Sequence, residues 1–259
     1  MAGWILTQLD TPGNENALLE YRSPTGDDVV RVNYLPAVKG AMQMQEMLTV
    51  LRTVADIAKV FNYTARQALV IRAKSNDMAF AEWIVAQLNV PADRRPAGSP
   101  LVYPNPTPYN MVARVNYLAN INGPRNTQQL LTVLRTVGDI AKIFNITSLN
   151  VLTLRASEAD IARAEWLIQE LDQPADARPA GTQVYRSATG DDVTRVFFLT
   201  NATEQQLTDA VTAVRTDAKI RKVFFTASPA AVVVRGTTDQ VEAAVQSLAQ
   251  RNGLALLRP

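Results

Sequence analysis

The 259-residue sequence contains neither cysteine nor histidine. That removes disulfides, thiolate nucleophiles, Ser-His-Asp and Cys-His arrangements and nearly every transition-metal site, because each needs a thiolate or an imidazole. Charge of one sign is also scarce. Lys+Arg of 26 against Asp+Glu of 24 gives a net charge of +2, which is no electrostatic footprint for nucleic acid. No apolar run approaches the roughly 18 to 20 residues that cross a bilayer as a helix, so no transmembrane segment is expected. Carboxylate, lysine and tyrosine chemistry remain open, but no acid, base or nucleophile recurs in a convergent pattern. The expectation is a protein without catalytic residues, cofactor or metal.

What is present is a folded composition, 47% hydrophobic, arranged as a repeat. LTVLRTVADIAKVFN (Leu48 to Asn62) and LTVLRTVGDIAKIFN (Leu131 to Asn145) differ at two of fifteen positions, and AVRTDAKIRKVFF from Ala213 is a more divergent third copy. Arg31, Arg114 and Arg195 sit in VVRVNYL, VARVNYL and VTRVFFL, and Arg72, Arg155 and Arg235 follow in step. The spacing gives three units of about 80 residues. The first two close on AEWIVAQLNVPAD and AEWLIQELDQPAD, and the opening AGWILTQLDTPG matches both. Residues 1–13 therefore read as the final helix of a further, upstream repeat. Module 1 is expected over 14–92, module 2 over 100–175 and module 3 over 183–259. The proline-bracketed linkers, 93–99 and 176–182, read as stiff extended spacers that keep the modules strung rather than merged.

Within a unit, VVRVNYL alternates and is rich in β-branched residues, so it reads as a strand. A helix follows, with capping-box spacing at Asn126 and Gln129 and at Thr203 and Gln206. KVFNYT and ALVIRA form two more strands, and Ser75, Ser157 and Thr238 stand where N-caps open a last helix. The order is β-α-β-β-α, with LLEYR, LVYP or QVYR as an optional edge strand. The fold class is α+β: three tandem two-layer α/β sandwich modules, each with two helices on one face of a small sheet. The acid pairs Asp27 and Asp28, and Asp191 and Asp192, fit a turn or a cation site, and module 2 lacks them.

Strand periodicity places Arg31 and Arg72, with Arg114, Arg155, Arg195 and Arg235, on the open sheet face, as solvated residues or a repeated interface. Arg52 and Arg135 are near enough in sequence to pair with Asp56 and Asp139, for about 0 to 1 kcal/mol, but Lys219 holds that place in module 3. In the final helix Met78, Ala81, Ile84, Val85 and Leu88, like Ile161, Ala164, Leu167, Ile168 and Leu171, form the stripe that covers the sheet. Trp83 and Trp166 point away from it, Trp4 holds the same position, and module 3 has Gln246. Packing of each Trp on the following linker or module is expected, with plain divergence of module 3 the alternative.

The strand order, the DIAKVF passage, the LVIRA strand leading into a helix and the closing AEWLIQELDQP resemble the N-terminal ring modules of bacterial secretins. Those are the outer-membrane pores of type II and III secretion and type IV pilus systems. The resemblance spans roughly residues 18 to 252 plus the leading helix. It implies a periplasmic, non-enzymatic structural protein that works through protein partners or self-assembly, possible company being an outer-membrane complex. No barrel-forming region is present, so pore formation does not carry over, and the near identity of modules 1 and 2 departs from the family pattern. The alternative is a KH-like nucleic-acid-binding repeat, which shares the strand order. It needs a GxxG loop that no unit has, so nucleic acid is not an expected partner.

Overall fold

The computed structural model describes residues 1–11, 19–24, 26–96, 98–105, 107, 110–174, 177, 182–250 and 255–256. After α1 (Ala2–Asp10), module 1 comprises β1 (Leu19–Arg22), β2 (Asp28–Tyr34), α2 (Gly40–Thr53), β3 (Lys59–Tyr63), β4 (Ala68–Lys74) and α3 (Ser75–Leu88). Module 2 follows with β5 (Pro100–Val102), β6 (Val112–Tyr117), α4 (Pro124–Thr136), β7 (Lys142–Ile146), β8 (Val151–Ala156) and α5 (Glu158–Leu171). Module 3 holds β9 (Thr182–Arg186), β10 (Val193–Thr200), α6 (Glu204–Asp217), β11 (Lys222–Ala227), β12 (Ala230–Gly236), α7 (Thr238–Ala249) and β13 (Ala255–Leu256). These are three repeated α/β modules of the α+β class. The optional edge strand is present in each, so the order is ββαββα, and the first two sheets run β1-β2-β4-β3 and β5-β6-β8-β7. The third runs β11-β12-β10-β13, with β9 also on β10.

Local chemistry explains most of these elements. The β3–β4 connection is a short 3-10 turn, Thr64–Arg66, ended by Gln67 in the left-handed region (φ 49°), and Asn150 (φ 53°) repeats it. Ser157 caps α5 and Thr203 with Gln206 forms a full capping box on α6. Three expected caps are corrected. Pro124 at the first position of α4 sets its start, so Asn126 and Gln129 form no box. Thr237, not Thr238, caps α7, and Ser75 lies inside α3 with its hydroxyl on Asp27 at 3.0 Å.

The chain divides into two compact units, and the division runs through module 2: its sheet belongs to the first unit, α4 and α5 to the second. In the first unit α2 and α3 cover one face of the module 1 sheet, with Met44, Met47, Leu51, Ile84 and Leu88 packed on Val29, Leu69 and Ile71. The same core continues without a break into Tyr103, Ala113, Val115, Tyr117, Ile146 and Val151 of the module 2 sheet. Modules 1 and 2 are thus merged through this core, not merely strung. The second linker, 176–182, falls almost wholly outside the described residues. In the second unit α6 and α7 cover one face of the module 3 sheet through Leu207, Val211, Val214, Val241 and Leu248.

The other sheet face is not open. Val30, Val32, Tyr34, Ala68 and Val70 are buried in a second cluster that includes Leu9 and, partly buried, Trp4 and Ile5 of α1. In module 3 Val196 and Val233, on the face away from α6 and α7, are fully buried. The expected sharing of one face by the six arginines is also corrected. Arg31 pairs across the sheet with Ile71, and Val30 with Arg72, so Arg31 lies on the face of α2 and α3 while Arg72 lies on the face of α1. Arg195, opposite Val234, and Arg235, opposite Thr194, divide in the same way. The physical reason is that β4 and β12 carry apolar residues on both faces, as a sheet covered on both sides must. Val32→Asp, on the face that α1 covers, should therefore lower stability by more than about 3 kcal/mol in urea denaturation followed by tryptophan fluorescence; a change within 0.5 kcal/mol would mean the face is wet.

Candidate interaction site

Two joints repeat along the chain. In the first, the closing helix of one module lies on the sheet of the next, and each tryptophan meets a tyrosine. Ring centroids are 5.8 Å apart for Trp4 and Tyr21, 5.2 Å for Trp83 and Tyr103, and 5.6 Å for Trp166 and Tyr185, all tilted. Tyr34 donates its hydroxyl proton to the Gln8 carbonyl at 3.1 Å, and Tyr117 does the same to Gln87 at 2.7 Å. Phe80, buried and 4.9 Å from Tyr103, completes the contact at α3; its place beside the covering stripe hid it among ordinary core residues.

The second joint is electrostatic. Helix α2 ends by folding Ile57 back, its N–H on the Leu51 carbonyl at 3.0 Å, which holds Asp56 at φ 60°. Aspartate tolerates this left-handed position better than most residues. Its carboxylate receives Lys142 on β7 and Arg155 on β8, both through Oδ2. One α-helical face earlier, Glu46 accepts from the Thr147 N–H at 3.1 Å and from the Ser148 hydroxyl. Helix α4 copies this arrangement. Asp139 (φ 61°) binds Lys222 and, at 2.6 Å, Arg235, while Gln129 accepts from the Ala227 N–H at 2.8 Å. Arg235 also donates to the Val137 carbonyl at 3.2 Å, placing a cation at the negative end of α4. Lys219 takes the same left-handed position after α6 (φ 55°). The expected pairing of Arg52 with Asp56 is corrected: Arg52 donates to the Val60 carbonyl at 3.2 Å, as Arg215 does to Val223 at 3.3 Å.

The acid-pair turns supply the second ligands of these arginines. Asp192 holds Arg235 in a bidentate fork, both bonds 2.7 Å, and Asp28 holds Arg72 at 2.8 and 2.5 Å. Asp191 accepts from Thr238. Module 2 has Met111 at the position of Asp28. Arg155, 1% exposed, is left with Asp56 as its carboxylate partner, its guanidinium 5.7 Å from the Phe80 ring and its Nε and Nη1 without a hydrogen-bond partner. Burial opposes ionisation of Asp56, yet Lys142 and Arg155 hold its carboxyl below the usual range. Arg235 does so for Asp192, Arg72 for Asp28 and Arg31 for Glu20.

The first-strand arginines behave differently. Arg31 bridges Glu20 of β1, at 2.5 and 2.6 Å, and Glu82 of α3. Arg114 donates to the Ala113 carbonyl at 3.1 Å, and Arg195 lies over the Phe197 ring at 5.2 Å. The sequence reading also missed why the closing helix ends in Leu-Asp-x-Pro. Asp172 accepts the N–H groups of Ala119, Asn120 and Ile121 at 2.6 to 2.8 Å, and Asn89 accepts that of Ala37 at 3.0 Å. The signal was available in the recurrence of a short polar acceptor just past the helix.

Two outcomes follow for solution stability. Asp56→Ala should cost about 3 kcal/mol or more, since it leaves Arg155 buried without a carboxylate, whereas Asp139→Ala should cost clearly less because Arg235 keeps Asp192; equal losses in paired denaturation curves would refute this division of labour. Folded-state pKa values depressed below the unfolded ones contribute stability that is complete above about pH 5 and lost as pH falls through the folded values. Thermal melts should accordingly show a steep fall in Tm below about pH 4, weakened in Asp56→Asn.

Similar solved structures are secretins. The N-terminal domain of the secretin XcpQ from Pseudomonas aeruginosa is 18% identical, covering 57% of this chain and 67% of that chain, with a TM-score of 0.23. The ETEC pilotin–secretin AspS–GspD complex matches at 15% identity over 86% of this chain and 37% of that chain, TM-score 0.21. Aeromonas hydrophila ExeD matches at 16% over 87% and 41%, TM-score 0.20. The chain thus spans about two fifths of the length of the GspD and ExeD chains. No protein-family model and no curated protein matches the sequence. The fold assignment rests on the strand order and packing above.

Proposed function

We propose that this chain is a non-enzymatic structural protein, a secretin N-domain-like repeat array that works by protein–protein contact in the periplasmic assembly of secretion or pilus-type machinery. The observation that carries the reading is where the charged side chains go. Arg72, Arg155 and Arg235, three of the six recurrent arginines, are bound to Asp28, Asp56, Asp139 and Asp192 in joints that hold modules to themselves and to one another. In this reading Trp4, Trp83 and Trp166 are packing anchors between modules. Asp27 accepts from the Ser75 hydroxyl and Asp191 from that of Thr238, so both acids tie their turn to the closing helix of the same module. No helix among the described residues is long and apolar enough to cross a membrane.

Among the described residues, two sheet edges offer equivalent surfaces to partners. Val102 on β5 and Val184 on β9 are exposed at equivalent positions, opposite Arg114 and Arg195, where module 1 has Glu20 opposite Arg31. An exposed apolar edge strand is a template for pairing with another chain. A photocrosslinking residue at position 102 or 184, in chain directed to the periplasm of a Gram-negative cell with a type II system, should give a discrete protein adduct. Thr212 on the exposed side of α6 serves as the control. Equal or absent crosslinking at all three positions would overturn the edge assignment.

A further inference from the structure

The receiving half of the joint made by Asp56 and Asp139 occurs a third time, on module 1, where no Asp-ended helix meets it among the described residues. That half consists of a lysine and a phenylalanine on one strand, an arginine on the next and the backbone N–H of the turn between them. In module 2 these are Lys142, Phe144, Arg155 and Thr147; in module 3 they are Lys222, Phe224, Arg235 and Ala227. The same positions in module 1 are Lys59, Phe61, Arg72 and Thr64. Phe144 and Phe224 are only partly exposed, whereas Phe61 is 61% exposed. Ile146 and Thr226 are buried, while Tyr63, which matches them, is exposed. Beside this edge lies a shallow cavity of about 280 Å³, lined by Met1, Ile5, Val30, Val60, Phe61 and Arg72. Arg72 has its Asp28 ligand, and among the described residues no aspartate takes toward it the place that Asp56 and Asp139 take toward Arg155 and Arg235.

We infer that the β3 edge of module 1 is a docking socket for a protein helix of the α2 type: one that presents Glu or Gln and, ten residues on, a left-handed Asp at its end. The occupant is defined by chemistry seen twice in this molecule. Lys59 and Arg72 supply two positive charges to the Asp, the Thr64 N–H donates to the Glu or Gln, and the apolar helix side covers Phe61 and Tyr63. Within this chain the two matching helices are engaged in their own joints. The third, α6, carries Asp209 and Lys219 at the two positions, and Lys219 brings a positive charge to Lys59 and Arg72. A second wild-type copy is therefore the wrong partner on charge grounds. The inference holds whether or not the chain serves in secretion.

The cleanest test gives α6 the missing signature in the full chain, with Asp209→Glu and Lys219→Asp, and follows mean mass by light scattering over a concentration series. The doubly changed chain should associate head to tail at a concentration about tenfold or more below that of wild type. Adding Phe61→Glu, an exposed substitution that leaves the fold intact by circular dichroism, should return it to wild-type behaviour. Unchanged association of the doubly changed chain, or association that survives Phe61→Glu, would overturn the proposal. Wild-type chains that associate equally well and equally insensitively to Phe61→Glu would do the same.

Discussion

Each sheet in this protein is apolar on both faces, and one module supplies cover for only one of them. A unit of about 80 residues with two helices buries a modest core, and a second greasy face would be an aggregation hazard if left in water. In the first unit the remaining face of each sheet is taken by a helix that precedes it, α1 on Val30 and Val32, α3 on Ala113 and Val115. Dependence of one repeat on its neighbour is the usual energetics of repeat arrays, in which interfaces add to intrinsic stabilities that are small. The tryptophan–tyrosine contacts belong to this same requirement, since they sit at the margin where the covering helix meets an edge strand.

Hydrophobic cover fixes that modules pack, but not where. The polar joint does that. A left-handed aspartate at a helix end with a Glu or Gln ten residues before it, and the lysine, arginine and backbone amide that receive them, define a register that sliding would break. The cost of desolvating Arg155 is offset by one carboxylate and the Phe80 ring, so its role is better described as specifying geometry than as adding stability. Arg235, with a bidentate second carboxylate, shows the fuller form of the same device.

The sequence made the repeat, the helices, the three principal strands and the tryptophan positions legible, because identity at a fixed spacing and clean apolar periodicity are strong signals. It misassigned the sheet faces for a physical reason. In DVVRVNY the arginine looks like the polar member of an alternating strand, yet its partner Glu82 comes from α3, on the helix-covered side. Long-range pairing of this kind leaves no local trace, and neither does the use of Gln129 as acceptor for the Ala227 N–H. The arginines were rightly singled out as recurrent, but the aspartate that gives them their meaning was read as a local partner of Arg52.

The near identity of the first two joints bears on how the chain reaches its native state. Asp56 and Asp139 are two keys of almost the same cut, and Lys142 with Arg155 and Lys222 with Arg235 are two locks with the same pins. Chemistry alone does not tell them apart, so during folding the correct pairing depends on tether length and on order of emergence from the ribosome, N-terminal segments first. A refolding chain released all at once lacks that ordering, and exchanged pairings between neighbouring or separate molecules become the natural misfolded products of such a duplication.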